Sequence, residues 1–428
     1  MDIKILHAKF LECESLSIDT RKIHENSFFV AIKGENFDAN TFAQEALNKG
    51  ARYVIIDNEQ YYINEKTIVV DDSLETLQKL AHYHRIYLKL PIIALTGSNG
   101  KTTTKELIHA VLSKKFKTKA TVGNLNNHIG VPLTLLSFTN DTEIGIVEMG
   151  ANHQKEIELL CNIAEPNFGY ITNFGKAHLE GFGGVEGVIK GKSEMYTYLH
   201  NFRGKVFVNL DDTLQSSKTI TLERITFSQK SKNASVFIDS VEANPLVTIG
   251  YNNLEIKSNL IGLYNANNVI AAITMGIYFT ISNKDIKEAI ESFSPENNRS
   301  QLITKNSNEI ILDAYNANPS SMKVALENFI QLDKSNKVII LGDMFELGEE
   351  SNLEHQEIIN QLKSTQNIDT YFIGNDFYNN KIEKDRFQFY KSFDDFSNNL
   401  NFNEFQNKSI LIKGSRGMAL ERILQFLP

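Results

Sequence analysis

The chain has 428 residues, a length that sets a prior of about three domains, and its 42% hydrophobic and 22% charged residues are those of an ordinary globular protein. The formal charge of −8 argues against a nucleic-acid carrier, because duplex binding draws on Lys and Arg set against phosphates. A small anionic ligand held by a local basic loop or a metal ion stays compatible with it. Cys13 and Cys161 are too few for a disulfide framework. The first residues carry no apolar leader, and no run approaches the roughly 18 apolar residues of a membrane span, so a cytoplasmic protein is expected.

To about Lys89 a small α/β unit is predicted. Strand-like runs at 28–32, 53–56 and 68–70 alternate with helical patterns near 41–49 and 73–88, the second with Leu74, Leu77 and Ala81 on one face. After Pro91 the run Ile92–Thr96 has the character of a buried parallel strand. It feeds Gly97-Ser98-Asn99-Gly100-Lys101-Thr102 and then a helix with Leu107, Ile108, Val111 and Leu112 in a stripe. Strands near 143–149, 168–172 and 205–209 and helices near 153–162 and 185–199 continue the alternation. From 218 to 261 short β-like runs suggest an antiparallel insertion or edge, closed by helices at 266–278 and 283–293. The cluster Ser294–Asn298 reads as a linker. Beyond it strands are predicted near 309–313, 337–341, 370–374 and 409–413, with helices near 319–331, 352–364 and 416–427. Pro319 opens the first of these, Asn318 is its cap, and Met322, Leu326, Phe329 and Ile330 form its buried face. Asn-rich patches at 376–380 and 398–407 read as solvated loops. Strands alternating with helices imply parallel sheets, hence an α/β fold of three domains: 1–89, 90–296 and 297–428.

The glycine-rich turn between strand and helix is the strongest chemical signal. Backbone N–H groups there approach phosphate oxygens without Cβ obstruction, and the helix N-terminus adds partial positive charge. Lys101 supplies a mobile cation and Thr102 a hydroxyl for Mg²⁺. Leu95 stands where the longer phosphate-loop pattern has glycine, so this is the shorter Gly-x-x-Gly-Lys-Thr form. Glu148 ends an apolar strand, and parallel sheets bind ligands at that edge, so a metal-holding carboxylate is expected. On chemistry alone His178 reads as a merely hydrogen-bonded loop residue, and Lys192 as a solvated helix lysine. Asn265 and Asn268 suit a base edge or a helix cap equally. Asp313 and Lys413-Gly414-Ser415-Arg416 also fall at strand ends.

Taken in order, these segments resemble the Mur ligases. Thr96–Thr103 is similar to their ATP loop. Asn124–Pro132, Glu148–His153, Ala177–Gly183, Tyr315–Met322, Leu341–Gly348 and Lys413–Arg416 narrow the likeness to members that add D-alanyl-D-alanine to UDP-N-acetylmuramoyl-tripeptide. The resemblance spans about Ile18 to Glu421. It implies a UDP-substrate domain, a central ATP domain and a C-terminal Rossmann-like domain that receives the amine. The activity implied is ATP-dependent amide-bond formation in cytoplasmic peptidoglycan synthesis, and with it cell shape and division, by a monomer. Lys101, His178 and Lys192 are then the catalytic residues. Gly97, Ser98, Asn99, Gly100, Lys101, Thr102, Thr103, Asn268, Arg299 and Asp313 bind nucleotide, and Thr20, Arg21, Lys33, Asn316 and Asn318 bind substrate. Thr102, Glu148, His178 and a carbamylated Lys192 hold two Mg²⁺ ions. Lys190 is a rival to Lys192, whose spacing to Glu194 fits the family better, and Tyr264 stands where the family often has histidine. A sibling ligase that adds a single amino acid, or a nucleotide-binding switch, is the alternative.

Overall fold

The computed structural model describes residues 2–295 and 298–428, so the predicted 296/297 boundary and part of the 294–298 linker lie outside the described residues. The first sheet is all parallel, ordered Ser15–Ser17, Ser27–Val30, Ala51–Ile56, Thr67–Val69. Ser27–Val30 is buried along its whole length, as a strand covered on both faces must be. Helix Ser73–Leu88 starts where the Asp72 carboxylate accepts the Glu75 N–H (2.7 Å), and it stops at Lys89 in a left-handed conformation. Its buried stripe is Leu77, Leu80, Ala81 and His84, with Leu74 only half-buried.

Seven parallel strands make the central sheet, ordered Val236–Phe237, Glu223–Ser228, Lys205–Asn209, Phe168–Ile171, Ile92–Thr96, Ile144–Glu148, Thr118–Ala120. Ile92–Thr96 lies between Phe168–Ile171 and Ile144–Glu148. The turn that follows it therefore opens with Glu148 on one side and residues 172–175 on the other. This placement is the topological reason for the site. A three-stranded antiparallel sheet, Ser240–Ala243, Leu246–Tyr251 and Leu254–Ile261, stands beside it. The expected antiparallel region thus begins later than 218, because Glu223–Ser228 pairs in parallel with Lys205–Asn209 and extends the main sheet.

The last sheet has six strands, ordered Gln301–Lys305, Asn308–Asp313, Ser409–Lys413, Lys337–Gly342, Asp369–Ile373, Phe387–Tyr390, with only the first pair antiparallel. Asn318 caps helix Pro319–Gln331 in a reciprocal box with Ser321, as its sequence signals. Two expectations fail here. Residues 416–427 do not form an α-helix: Arg416–Met418 and Leu420–Gln425 are 3₁₀ segments broken at Ala419, whose φ is +48°. Leu420 and Ile423, three apart, are both buried, which suits the three-residue turn of a 3₁₀ helix. The Asn-rich 376–380 patch is mostly the short helix Asn375–Asn379, anchored by buried Phe377. Helix Ile3–Leu11, capped by Asp2, and strand Gln301–Lys305 carried too little alternation to be foreseen.

Candidate active site

Two glycines shape the phosphate loop. Gly97 has φ +145°, and a Cβ there would sit 1.9 Å from Thr172 Oγ1; Gly100 has φ +79°, and its Cβ would meet Asn268 Oδ1 at 2.7 Å. Neither position admits a side chain. The loop is tied to the neighbouring strand end. Ser98 donates through its N–H to Asn173 O (3.1 Å) and through Oγ to Gly175 O (2.6 Å). Thr172 Oγ1 (2.5 Å) and Asn173 Nδ2 (3.0 Å) both donate to Asn99 O. Helix Lys101–Leu112 then begins with its free N–H groups at the cleft. Lys101 Nζ folds back onto Gly97 O (2.7 Å). Burial pushes its ammonium below the usual range; Glu148 opposes that shift and Arg299 adds to it.

Glu148 is buried at the end of its strand. One oxygen accepts from Asn126 Nδ2 (2.8 Å), while Oε2 has no hydrogen-bond partner and Lys105 Nζ stays 3.9 Å away. A buried carboxylate oxygen left in this state is suited to a cation. His178 sits at the mouth of the short helix Leu179–Phe182 with φ +52°, and its Nδ1 lies against Glu346 Oε2. That contact holds the Glu346 carboxyl below the usual carboxylate range. Lys192 is fully buried in helix Val185–Asn201, with no hydrogen-bond partner for Nζ and the Phe182 ring 5.3 Å away. Desolvation, and then the Lys101 charge, drive its pKa well below that of an ordinary lysine. Lys190 is exposed, so burial separates the two rivals. Glu194 accepts from the N–H groups of Lys155 (2.6 Å) and Glu158 (3.0 Å) and caps a helix. No group of three or more His, Cys, Asp or Glu side chains forms a ready metal cage among the described residues. A cation here would need Thr102, Lys192 or ligand oxygens as well.

The opposite wall comes from the last domain. Asp313 accepts from Lys413 Nζ (2.5 Å) and from Ser300 N–H (3.1 Å). The Tyr315 ring lies under the Arg299 guanidinium at 3.5 Å and beside that of Arg416 at 5.0 Å. Asn318 Nδ2 donates to Asn99 Oδ1 (2.8 Å), Lys176 N–H donates to Ser320 Oγ (2.8 Å), and Lys176 Nζ pairs with Glu354 (2.5 Å). The two walls enclose a cleft of about 1140 Å³. Residues 98–103, Glu148, His178, Asn268, Arg299, Asp313, Asn316 and Asn318 line it.

Other predicted residues lie elsewhere. Gly97 shapes the loop from behind, and Lys192 is buried rather than among the cleft-lining residues. Thr20 and Arg21 sit in a 3₁₀ turn of the first domain, where Arg21 is exposed and paired with Asp19 (2.8 Å); Lys33 is exposed on the hairpin Lys33–Gly34/Phe37–Asp38. Asn268 donates from Nδ2 to Asn265 Oδ1 (2.8 Å) and accepts from Thr104 Oγ1 (3.0 Å). The two asparagines thus engage each other and brace the loop at Gly100, keeping one donor and one acceptor position each. Tyr264, half-buried, bonds Ser300 Oγ (2.9 Å) and so links this region to Asp313. Sequence reasoning did not single out Asn126 and Glu346, although both lie inside motifs it used. It missed Lys105, whose buried Nζ bonds Thr121 O (2.5 Å), because nothing local marks it.

Three family descriptions match successive parts of the chain: the Mur ligase family catalytic domain over 12–85, the Mur ligase middle domain over 95–276, and the Mur ligase glutamate ligase domain over 298–416. The chain is 34% identical over 426 residues to the UDP-N-acetylmuramoyl-tripeptide–D-alanyl-D-alanine ligase of Bacillus subtilis (strain 168), covering 96% of this chain and 92% of that protein. It is similar to a crystal structure of MurF from Acinetobacter baumannii, with a TM-score of 0.86, 28% identity and coverage of 99% and 98%. It is also similar to MurF ligase from Thermotoga maritima in complex with ADP, with a TM-score of 0.82, 25% identity and 97% of each chain covered.

Proposed function

The chain belongs to the Mur ligase family, and from that premise we infer that it joins D-alanyl-D-alanine to UDP-N-acetylmuramoyl-tripeptide in an ATP-driven reaction. The observation that carries this reading is the single cleft walled by a phosphate loop on one side and by Asp313, Asn316, Asn318 and Lys413 on the other. A nucleotide on the first wall meets a second substrate brought by the other. We assign residues 1–89 to the UDP end of the substrate, 90–296 to ATP and 297–428 to the amine, in a monomer working in the cytoplasm. No helix of the described residues is long and apolar enough to cross a membrane.

An amine does not displace oxide from a carboxylate. The γ-phosphoryl group of ATP is therefore transferred to a terminal carboxylate oxygen of the tripeptide; that O–P bond forms as the β–γ bridge breaks and ADP departs. The D-alanyl-D-alanine amine then attacks the acyl carbon, loses a proton, and the C–O bond to phosphate breaks. The protein's part is positioning and charge neutralisation. The loop N–H groups and Lys101 receive the phosphates, with Lys101 Nζ leaving its contact on Gly97 O. Thr102 and Glu148 would hold one Mg²⁺, and His178 with Lys192 a second; the unpartnered Glu148 Oε2 fits that role. Bound there, Mg²⁺ supplies Lewis-acid neutralisation of phosphate and carboxylate oxygens. Lys192 fits a carbamate. Its depressed pKa leaves a neutral amine, whose lone pair adds to the carbon of CO₂ with release of a proton. The product is an anionic ligand in place of a buried amine.

Phosphate release from ATP and Mg²⁺ is the test, with UDP-N-acetylmuramoyl-tripeptide present and D-alanyl-D-alanine added or withheld. Release only with both, and a product heavier by the dipeptide, is expected. Release that answers instead to single amino acids moves the assignment to a sibling ligase. Lys192→Ala is expected to abolish turnover, with partial recovery when a small carboxylate is added; wild-type activity without that addition would reject the carbamate.

A further inference from the structure

The contact between His178 and Glu346 joins two domains, and both of its members are non-glycine residues at positive φ, +52° and +62°. Such backbones persist where surrounding structure forces them, and they gather at functional positions. The loop that carries Glu346 is held from three sides. The Asp343 carboxylate accepts the N–H groups of Asp376 (3.0 Å) and Phe377 (2.9 Å), His355 Nε2 accepts that of Met344 (3.1 Å), and Ser415 Oγ accepts that of Phe345 (2.9 Å). Leu347 is buried behind it. Across the interface, Glu180 N–H approaches Glu346 O (3.4 Å), and Gly348 leaves room for Glu180, whose side chain a Cβ would meet at 3.2 Å. The loop is therefore rigid on its own domain and presents one half-exposed carboxylate to the other. His178 Nδ1 is sequestered from solvent and makes no hydrogen bond; the Glu346 carboxylate is the group in contact with it.

We propose that Glu346 is the positioning residue for His178. Reaching over from the C-terminal domain, its carboxylate accepts a hydrogen bond from Nδ1–H, fixes the tautomer whose free lone pair is on Nε2, and so completes the cation-binding side of the cleft only when the domains are docked. A histidine that ligates through one nitrogen is ordinarily oriented by a carboxylate or carbonyl on the other. Here that partner is on a different domain, so docking and preparation of the ligand are one event. The inference rests on the reading of His178 as a ligand.

The test is nitrogen NMR of the metal-free chain labelled in histidine, at about pH 8 so that an ordinary imidazole with pKa near 6.5 is neutral. His178 is expected as the Nδ1–H tautomer in wild type and in Glu346→Gln, whose amide oxygen still accepts the proton. In Glu346→Ala it reverts towards the Nε2–H form that free imidazole favours. Glu354→Gln, which breaks the neighbouring interdomain pair with Lys176 without touching His178, retains the wild-type tautomer. Identical His178 signals in wild type and Glu346→Ala would overturn the proposal. So would a Mg²⁺ requirement for phosphate release that fails to rise in Glu346→Ala, where an increase of about 10–100-fold is expected. Substrate-dependent phosphate release by the wild type is scored separately, so loss of the ligase assignment and loss of this inference are distinguishable.

Discussion

The central domain meets its two neighbours in different ways. Towards the N-terminal unit, helix Ser73–Leu88 packs along helices Gly130–Leu136 and Glu156–Ala164, and Leu77, Leu80 and Ala81 share one apolar cluster with Val131, Leu135 and Leu160. Buried polar groups finish that joint. His84 Nε2 bonds Phe138 O (3.0 Å) while its Nδ1 is held by His7 Nε2 within the N-terminal unit (2.9 Å), and Arg85 donates to Ala164 O (2.9 Å), Glu165 O (3.0 Å) and Asn167 Oδ1 (3.0 Å). Towards the C-terminal domain the same apolar cluster continues to Ala317, Met322, Met344 and Leu347, but among the described residues no pair of long helices packs lengthwise: the elements meet at short turns, with the polar contacts of Asn318, Ser320, Glu354 and Glu346. A buried aliphatic side chain is worth about 1.5–3 kcal/mol and a typical hydrogen bond about 0.5–1.5 kcal/mol. The first joint therefore suits a fixed platform and the second suits docking and release during turnover.

The largest expected effect belongs to neither joint and so calibrates both. Gly97→Ala places a methyl group on Thr172 Oγ1 in a backbone that disfavours it. ATP binding measured by calorimetry should fall at least about 100-fold with both interfaces intact. Leu80→Ala at the first joint should lower unfolding stability by about 2–5 kcal/mol in denaturant titration. Asn318→Ala at the second should cost only about 0.5–2 kcal/mol of stability, through its lost helix cap, while lowering kcat/KM for phosphate release about 5–30-fold, equivalent to about 1–2 kcal/mol. Scattering should show a larger radius in the presence of nucleotide. A stability loss at Asn318 equal to that at Leu80 would erase the contrast between the joints.

The smallest effect is a pH dependence. Burial, and then the neighbouring His84, lower the pKa of His7 to about 4 from its ordinary 6.5. Native His7 stays neutral while the unfolded chain takes up a proton, so stability falls as pH drops from about 6.5 to about 4, with no further loss from this group below that. His7→Phe should flatten the Tm–pH curve over that window, and a curve as steep as wild type would show that this buried histidine pair is not the source.

The phosphate loop, Glu148, the capped helix at Asn318 and the alternation of strands and helices were legible in the sequence because each is a local pattern: a turn that needs glycine, a strand with one terminal carboxylate, an Asn-Pro start. Residues 416–427 misled because Leu420, Ile423 and Leu427 also fit an α-helical stripe, whereas the left-handed Ala419 breaks the ladder. Glu223–Ser228 misled because strand direction is a property of the pairing partner. Lys192 shows the division most plainly. Its motif placed it in the site, but only the packed helix and the Phe182 ring remove it from water and separate it from exposed Lys190. The sequence by itself determined the nucleotide loop, the family and the order of the three units, since these rest on short-range backbone geometry and residue type. The tertiary structure alone decided that Asn318 reaches Asn99 and that Glu346 reaches His178, because partners 168 or more residues apart are brought together by sheet topology and docking, which no local spacing encodes.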